Sequence, residues 1–138
     1  MAVISKWYSF EASHRLRDHD GQCANLHGHG YQVCILLEGM VDFDRGPKEG
    51  MVLDYDDLNK EVKPIIDVLD HSDLANNVGV TCRTTAENIA CYIWWGLESI
   101  KDGKVAPKLF SVRVKETPKT EASISTADYV RWKQHYLS

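Results

Sequence analysis

The sequence predicts an α+β domain, a four-stranded antiparallel sheet with two helices on one face. Apolar and polar residues alternate near both ends of the 138-residue chain, which is typical of half-buried strands. In the middle, apolar residues recur at three- and four-residue steps, which is typical of helices that bury one side. The order β-β-α-α-β-β, without an internal repeat, favours this architecture and a single domain over residues 1–138.

The first two strands are expected to pair antiparallel across a long polar loop. Alternation over residues 4–14 places His14 on the same face as Phe10 and Ala12. The second strand covers about residues 27–38. Several Asp, Asn and Gly residues lie between the two and indicate a turn-rich connection.

Two helices are predicted in the centre of the chain. Residues 40–50 read as a surface connection, followed by a short strand at 51–53. Asp54 can cap the first helix, in which Pro64 is a possible kink. The run Thr84-Thr85-Ala86-Glu87 fits a capping box, with a hydroxyl at the cap and Glu three residues later. It predicts the start of a second helix that continues through Ile100.

Two further strands are predicted near the C-terminal end, at residues 109–115 and 122–129. One helical layer covers only one face of the resulting sheet. Five large aromatic residues supply more apolar surface than that layer is expected to hide, so we expect oligomerisation. They are Tyr8, Tyr31, Trp94, Trp95 and Trp132.

Charge and hydropathy restrict the partners. The net charge of −4 creates no basic field for nucleic acid or a membrane surface. Residues 42–73 hold ten Asp and Glu against four Lys and Arg, so an anionic ligand is expected to bind away from this segment. No apolar run approaches the roughly 18 residues of a membrane span, and the N-terminus lacks a signal-peptide pattern. A cytoplasmic location is therefore expected.

A histidine pair on the second strand has the spacing of metal ligands. His27 and His29 are two residues apart, so both imidazoles project from one strand face. His14 ends the neighbouring strand, and the three rings can converge. Three histidines with an open fourth position are typical of a catalytic zinc ion. The alternative is a set of histidines that form hydrogen bonds in a polar core.

Cys23 lies in the loop between the two histidine-bearing strands and can reach the open metal position. A zinc cation beside the thiol would favour the thiolate, which could act as a base. None of the four cysteines forms a CxxC pair, so a structural thiolate zinc site is not expected. Considered alone, each cysteine is more often a small buried hydrophobe.

Two acidic positions could also take part in chemistry. Asp70 precedes His71 at the end of the first predicted helix, and a carboxylate beside an imidazole makes a proton relay possible. Glu116 follows the third predicted strand. Considered alone, residues of these types at such positions are more often ordinary solvent-exposed side chains.

Six blocks of residues occur in order between Tyr8 and about Ser125. They are Phe10-Glu11-Ala12-Ser13-His14, Cys23-Ala24-Asn25-Leu26-His27-Gly28-His29, Leu53-Asp54-Tyr55, Leu69-Asp70-His71, Thr84-Thr85-Ala86-Glu87-Asn88 and Val114-Lys115-Glu116-Thr117. Together they resemble the 6-pyruvoyl-tetrahydropterin synthase family, most closely its 6-carboxy-5,6,7,8-tetrahydropterin synthase branch of queuosine and 7-deazapurine biosynthesis. The three-residue spacer between Cys23 and His27 favours this branch over the animal pyruvoyl synthases, whose spacer is usually longer.

The resemblance implies the tunnelling fold (T-fold), with subunits assembled into a β-barrel as a trimer or a dimer of trimers with interfacial active sites. It implies a zinc ion held by His14, His27 and His29, with Cys23 as the base. It also implies that His71 with Asp70 relays protons. Glu116 would anchor the pterin ring, and the backbone at Thr84 and Thr85 would contact the same ring.

The implied reaction converts 7,8-dihydroneopterin triphosphate to 6-carboxytetrahydropterin, acetaldehyde and triphosphate. Two alternatives remain open at this level. One is a pyruvoyl synthase that eliminates triphosphate without cleaving a carbon–carbon bond, and the other is a non-catalytic pterin- or zinc-binding module. Four basic residues are candidates for contacting the triphosphate. They are Arg15, Arg17, Arg83 and Lys119.

Overall fold

A computed structural model describes residues 1–98 and 107–138. Its strands and helices follow one another in mixed order along the chain. They are β1 (Ala2–His14), β2 (His27–Gly39), α1 (Tyr55–Leu69), β3 (Ser72–Asp73), α2 (Val78–Thr81), α3 (Ala86–Gly96), β4 (Lys108–Thr117), β5 (Thr120–Ile124) and α4 (Thr126–Tyr136). The five strands form one open sheet in the order β3-β1-β2-β4-β5. The predicted α+β class is confirmed.

The β1–β2 hairpin is the longest paired unit. Its antiparallel register runs without interruption from Ala2 opposite Gly39 to His14 opposite His27. Strand alternation contributes to its stability, because side chains at alternate positions enter the core. They are Phe10 and Ala12 of β1 and Tyr31, Val33, Ile35 and Leu37 of β2. Phe10 and Tyr31 stack across the pair with ring centroids 4.8 Å apart. The strand ends that bear the histidines are therefore held in a fixed register.

Helix α1 forms where the sequence predicts it. Asp54 caps the helix, since its carboxylate accepts a hydrogen bond from the backbone N–H of Asp56 at 2.9 Å. Pro64 lies inside the helix without ending it. Four apolar residues at helical spacing are buried against the sheet. They are Leu58, Val62, Ile66 and Leu69.

The second predicted helix, α3, begins one residue later than the capping-box pattern indicates. Thr85 is the cap, and its hydroxyl accepts a hydrogen bond from the backbone N–H of Asn88 at 3.2 Å. Thr84 cannot serve as the cap because it is buried and faces His14. The predicted continuation to Ile100 falls outside the described residues, and α3 ends at Gly96.

The prediction of a last strand over residues 122–129 is wrong in its second half. Strand β5 ends at Ile124, and Ser125 begins α4 through a capping box with Asp128. The three-residue step from Tyr129 to Trp132 then buries both aromatic rings on one side of the helix. Tertiary packing stabilises this helix, because the ring of Tyr129 stacks on that of Trp94 with the centroids 5.3 Å apart.

Two short segments also differ from the expectation. The strand predicted at 51–53 is reduced to an isolated bridge between Asp42 and Met51. Conversely, β3 adds a fifth strand that pairs parallel with Ala12 and Ser13. A two-residue strand leaves no periodic signal in a sequence, so the predicted four antiparallel strands miss it.

The helices cover one face of the sheet, and the other face carries Trp7, which is 45% exposed. Of the aromatic residues taken to require a partner, Tyr31, Trp94 and Trp132 are buried within the chain itself. Trp95 stays partly exposed. In the described part of the chain, no helix has the length and apolar character needed to cross a bilayer.

Candidate metal centre and active site

His14, His27 and His29 converge at one end of the β1–β2 hairpin. His14 lies directly opposite His27 in the register, and His29 follows two residues later on the same face. One ring nitrogen from each residue lies within 4.8 Å of the others. The ring centroids are 4.6 to 5.0 Å apart, with the planes strongly inclined to one another. This predicted cluster is present in the fold.

Backbone carbonyls orient two of the three rings. The Nδ1 of His14 lies 2.8 Å from the carbonyl oxygen of Thr84, and the Nδ1 of His27 lies 2.7 Å from that of Asn25. A carbonyl only accepts hydrogen bonds, so each Nδ1 must donate and carry the ring proton. The Nε2 atoms are thus left with free lone pairs, which is the tautomer that a metal ligand requires.

The cluster fits a zinc ion. The Nε2 of His14 is buried and has no hydrogen-bond partner among the described residues, a costly state that a metal ion would relieve. Burial and the neighbouring His27 lower the pKa values of His14 and His29, so these rings favour the neutral, ligating form. Within the described residues no carboxylate or thiolate completes the set, so a fourth position would stay open.

Cys23 lines a cavity with two of the three histidines. It belongs to a short 3-10 turn, Gln22–Ala24, and its carbonyl accepts a hydrogen bond from the backbone N–H of Leu16 at 2.7 Å. The cavity, of about 520 Å³, is lined by Cys23 together with Asn25, His27 and His29. The role of Cys23 as a base stays a prediction.

Asp70 and His71 form a strained corner at the sheet edge. His71 has a φ of 57°, a left-handed conformation that is unfavourable for a non-glycine residue. Its N–H donates to the carbonyl of Glu11 at 2.6 Å, and the Glu11 N–H donates to Asp70 Oδ1 at 2.9 Å. The Glu11 N–H is the main cause that lowers the pKa of Asp70, and His71 adds to it. Asp70 Oδ2 lies 3.0 Å from His71 Nδ1, so the predicted carboxylate–imidazole pair is present.

His71 and Cys23 line two different cavities of this chain, and His29 borders both of them. The side chain of His71 is 80% exposed, and Ser13, Gly28 and Gly30 also line its cavity. That Cys23 and His71 lie on two sides of one substrate stays a prediction.

Glu116 and Thr85 share a third cavity, of about 480 Å³, with Leu16 and Glu87. Burial is the main cause that raises the pKa of the Glu116 carboxyl, the nearby Glu87 carboxylate raises it further, and His27 lowers it. Glu116 is thus close enough to interact electrostatically with His27 of the cluster and with Glu87 at the start of α3. This cavity brings together two of the residues expected to contact a ring.

Thr84, Asn25 and Tyr31 have roles that the sequence does not predict. The first two orient the rings of His14 and His27 through backbone carbonyls, which leave no signal in a sequence. Tyr31 is fully buried, and its ring packs 5.9 Å from His14 and 5.4 Å from His29. Because side chains alternate along a strand, the spacing of residues 27, 29 and 31 places Tyr31 on the same face of β2 as His27 and His29.

The four basic candidates separate into two groups. Arg15, Arg17 and Arg83 line one cavity together with Thr84. Lys119 lies in the turn between β4 and β5 and does not line that cavity.

Comparison with known proteins identifies the family. The family described as 6-pyruvoyl tetrahydropterin synthase matches residues 3–127. The 6-carboxy-5,6,7,8-tetrahydropterin synthase of Haemophilus influenzae is 35% identical, covering 86% of this chain and 94% of the relative. The 6-pyruvoyl tetrahydrobiopterin synthase of Homo sapiens is 36% identical, covering 84% of this chain and 86% of the relative.

Solved structures agree in fold. The 6-pyruvoyl tetrahydropterin synthase of Caenorhabditis elegans superposes with a TM-score of 0.76 at 32% identity, covering 90% of this chain and 94% of that one. The Plasmodium falciparum 6-pyruvoyl tetrahydropterin synthase superposes with a TM-score of 0.65 at 22% identity, covering 89% and 96% of the two chains. The matched residues include the whole histidine cluster, Cys23, Asp70, His71 and Glu116, and the chain belongs to the 6-pyruvoyl tetrahydropterin synthase family.

Proposed function

We propose that this protein is a zinc-dependent carbon–carbon lyase of the 6-carboxy-5,6,7,8-tetrahydropterin synthase type, acting in queuosine and 7-deazapurine biosynthesis. It would convert 7,8-dihydroneopterin triphosphate and one water molecule to 6-carboxytetrahydropterin, acetaldehyde and triphosphate. The observation that carries the proposal is the cavity that Cys23 shares with His27 and His29. Relatives with this name, from Haemophilus influenzae and Synechocystis, are 35% and 36% identical to the chain and support it.

His14, His27 and His29 would hold the zinc ion through their Nε2 atoms. When bound, zinc would supply Lewis-acid polarisation of the oxygens on the substrate side chain, which acidifies the adjacent C–H bonds. The carbonyls of Thr84 and Asn25 would keep two of the rings in the ligating tautomer. This support is rigid, because both carbonyls are backbone atoms.

Cys23 would act as the base that removes a proton from the substrate side chain. Cys23 lies in a 3-10 turn and lines the same cavity as His27 and His29, which supports this role. A base must lie within hydrogen-bonding reach of the proton that it takes, and this turn provides that proximity to any side chain bound at the cluster.

His71, held by Asp70, would deliver or accept protons on the other side of the substrate. Because His71 and Cys23 line different cavities of one chain, the pair would come from two subunits. The exposed sheet face with Trp7 supports such an assembly. We propose a homo-oligomer, a trimer or a dimer of trimers built around a β-barrel, with active sites between subunits and a cytoplasmic location.

Glu116 would anchor the pterin. A carboxylate matches the paired N–H donors of a 2-amino-4-oxo pyrimidine ring, in the bidentate manner of a carboxylate–guanidinium pair. Its partly buried position beside Thr85 strengthens such hydrogen bonds, since little water competes there. The backbone around Thr84 and Thr85 would border the same ring.

A pyruvoyl synthase is the second candidate, favoured by the human relative and by the Caenorhabditis elegans structure. Product analysis separates the two. The protein is incubated with 7,8-dihydroneopterin triphosphate, and the pterin products and acetaldehyde are measured by mass spectrometry. We expect 6-carboxytetrahydropterin with equimolar acetaldehyde. Formation of pyruvoyl-tetrahydropterin without acetaldehyde would contradict the lyase assignment.

A non-catalytic pterin- or zinc-binding module is the third candidate. It predicts that Cys23→Ala changes neither the zinc content nor the fate of the substrate. The lyase proposal predicts unchanged zinc and lost turnover, so elemental analysis and product formation on the same preparation decide between them.

A further inference from the structure

The side chain of Tyr31 lies between the histidine cluster and the core. It is fully buried. Its ring stacks on that of Phe10 with the centroids 4.8 Å apart, and it packs edge-on against His14 and His29 at 5.9 and 5.4 Å. These contacts fix the ring, so the position of its hydroxyl group is fixed as well.

The Tyr31 hydroxyl is buried without a hydrogen-bond partner in the part of the chain that the structure describes. Such a hydroxyl costs stability, because it has given up its hydrogen bonds to water. Tyr8, two residues before Phe10 on β1, avoids this cost, since its hydroxyl donates to Asn59 Oδ1 at 2.6 Å. Phenylalanine would pack at position 31 without the cost, so the unliganded chain gains nothing from this hydroxyl.

The neighbour of Tyr31 on β4 is Glu116. Val33 lies opposite Val114 in the β2–β4 register, and both valines are buried. Tyr31 and Glu116 lie two residues beyond this pair on their strands, so their side chains share its face of the sheet. Burial is the main cause that raises the pKa of the Tyr31 hydroxyl, and the Glu116 carboxylate raises it further. The two groups are therefore within electrostatic range of each other.

The Glu116 carboxylate lacks a donor that would hold it. Within the described residues, burial, Glu87 and His27 shift its pKa, and no hydrogen bond is among these causes. The Asp70 carboxylate, in contrast, accepts a hydrogen bond from the Glu11 N–H at 2.9 Å. A carboxylate has about four acceptor lone pairs, and a ring with paired N–H donors leaves some of them unused. A hydroxyl donor at an unused lone pair would favour the ionised carboxylate that such a ring requires.

We propose that Tyr31 is a positioning residue for the ring ligand of Glu116, its hydroxyl donating a hydrogen bond to the Glu116 carboxylate in the ligand-bound state. The Tyr31 ring is fixed, whereas the glutamate side chain changes rotamer, so the carboxylate moves to the hydroxyl. The inference rests on the proposed function in taking a pterin as that ligand. One tyrosine thereby packs against two histidines of the cluster and holds the residue that binds the ring.

Tyr31→Phe tests the hydroxyl alone, because it keeps the ring and its stacking. Neopterin, a pterin without phosphate, is titrated into the full-length, zinc-loaded protein, and binding is followed by fluorescence. We expect Tyr31→Phe to weaken neopterin binding about tenfold, since a hydrogen bond to a charged acceptor is lost. Tyr8→Phe is the matched control, because it removes a hydroxyl outside the site, and it should bind as the native protein does. Equal affinities of Tyr31→Phe and the native protein would overturn the proposal.

Thermal unfolding of the metal-free, ligand-free protein separates positioning from a structural role. Tyr31→Phe should have a Tm equal to or above that of the native protein, because its hydroxyl loses no partner in this state. Tyr8→Phe should have a lower Tm, since it breaks the hydrogen bond to Asn59. Damage to the core would lower both the Tm and the affinity. A lower Tm for Tyr31→Phe would show that the hydroxyl already has a partner in the unliganded fold, against the proposal.

A double-mutant cycle tests whether Tyr31 acts through Glu116. In the Glu116→Gln background, Tyr31→Phe should change neopterin affinity by no more than about twofold, because a neutral amide gains less from the same donor. The same tenfold loss in both backgrounds would show that the hydroxyl acts elsewhere. Elemental analysis should find native zinc content in Tyr31→Phe. A loss of zinc with unchanged neopterin affinity would assign the hydroxyl to the histidine cluster and refute the proposal.

These measurements keep the positioning role separate from the proposed function. If Glu116→Gln weakens neopterin binding and Tyr31→Phe does not, only the positioning role fails. If both weaken binding but no 6-carboxytetrahydropterin forms from the triphosphate substrate, the positioning role stands and the lyase assignment fails. Where turnover is measured, Tyr31→Phe should raise KM about tenfold and change kcat by less than about twofold, because the ring is held equally before and during the reaction. A fall in kcat at unchanged KM would speak against positioning of the ring.

Discussion

The histidine cluster and the Asp70–His71 corner lie near the same end of β1, and they differ in how fully the rest of the chain encloses them. His14 is only 2% exposed, and backbone carbonyls orient its ring and that of His27. His71 is 80% exposed on a backbone held in a left-handed conformation. One chain brings all three histidines of the cluster together, whereas the Asp70–His71 corner leaves its imidazole exposed to solvent.

This difference shows which part of the site the β1–β2 hairpin builds by itself. A metal site requires several donors within a few ångströms, and the uninterrupted β1–β2 register supplies them inside one chain. The proposed proton relay requires one side chain on the far side of a substrate. Strain at a single residue persists only when its surroundings impose it, here through the Glu11 hydrogen bonds. The backbone of the corner is therefore held in place, while the imidazole of His71 stays exposed.

The largest expected effect comes from breaking the cluster. His27→Ala removes one of three ligands and should abolish stoichiometric zinc binding and all turnover, because the remaining pair offers too few donors. Elemental analysis and product formation measure this. The matched control is His135→Ala, which removes an exposed histidine of α4 and should keep both. Full zinc occupancy in the His27 variant would contradict the three-histidine site.

The next effect compares the two regions directly. Cys23→Ala and His71→Asn should each lower kcat by about 10²–10⁴-fold while zinc content stays unchanged, as expected for proton-transfer groups. Asn is chosen at position 71 because it tolerates the left-handed backbone.

Mixing the two inactive variants then tests whether subunits share a site. After subunit exchange, about a quarter of the native activity should return, because a site works when one chain supplies Cys23 and its neighbour supplies His71. A mixture as inactive as its parents would show that the two residues serve the same chain.

The next variant tests the pterin-binding role proposed for Glu116, which lies on the same side of the molecule as the cluster. Glu116→Gln should weaken pterin binding by about 10- to 100-fold, since a charge-assisted bidentate contact is lost. Fluorescence titration with a pterin that lacks phosphate measures this loss apart from the arginine cavity. An unchanged affinity would remove Glu116 from the ring-binding role.

The same variant should stabilise the fold in a pH-dependent way. Burial and Glu87 raise the pKa of Glu116 above 4.5, against the opposing effect of His27. The folded state therefore prefers the protonated carboxyl, and stability is lost as the pH rises through the folded pKa. Thermal unfolding of metal-free protein should show a higher Tm for Glu116→Gln at neutral pH and no gain near about pH 4. A gain of equal size at both pH values would contradict this cause.

The smallest effect concerns the strained corner. His71→Gly relieves the left-handed backbone and should be more stable than His71→Ala by about 1 kcal/mol, although both remove the imidazole. Chemical denaturation of the two variants isolates the backbone contribution, because only glycine adopts this φ without steric cost. Equal stabilities would show that the corner stores no strain.

Local patterns were enough to predict several parts of the site and fold. Two-residue spacing places His27 and His29 on one face whatever surrounds the strand, since strand geometry alone requires it. The Asp54 cap likewise depends on neighbours in the chain, and α1 begins where the sequence predicts. In contrast, the two-residue strand β3 exists only because it meets β1, and α4 is stabilised by the stacking of Tyr129 on Trp94.

By itself, the sequence determined the α+β class, the three convergent histidines and the proximity of Cys23, because each follows from strand periodicity and short-range chain connectivity. The packing of the sheet and helices, in contrast, places the Thr84 carbonyl on the His14 ring, brings His71 and His29 to one cavity, and joins Arg83 to the arginines that follow His14. These relations join segments about 70 residues apart, as the separation of His14 from Thr84 shows. Such contacts depend on how the sheet and helices pack, and no local pattern records them.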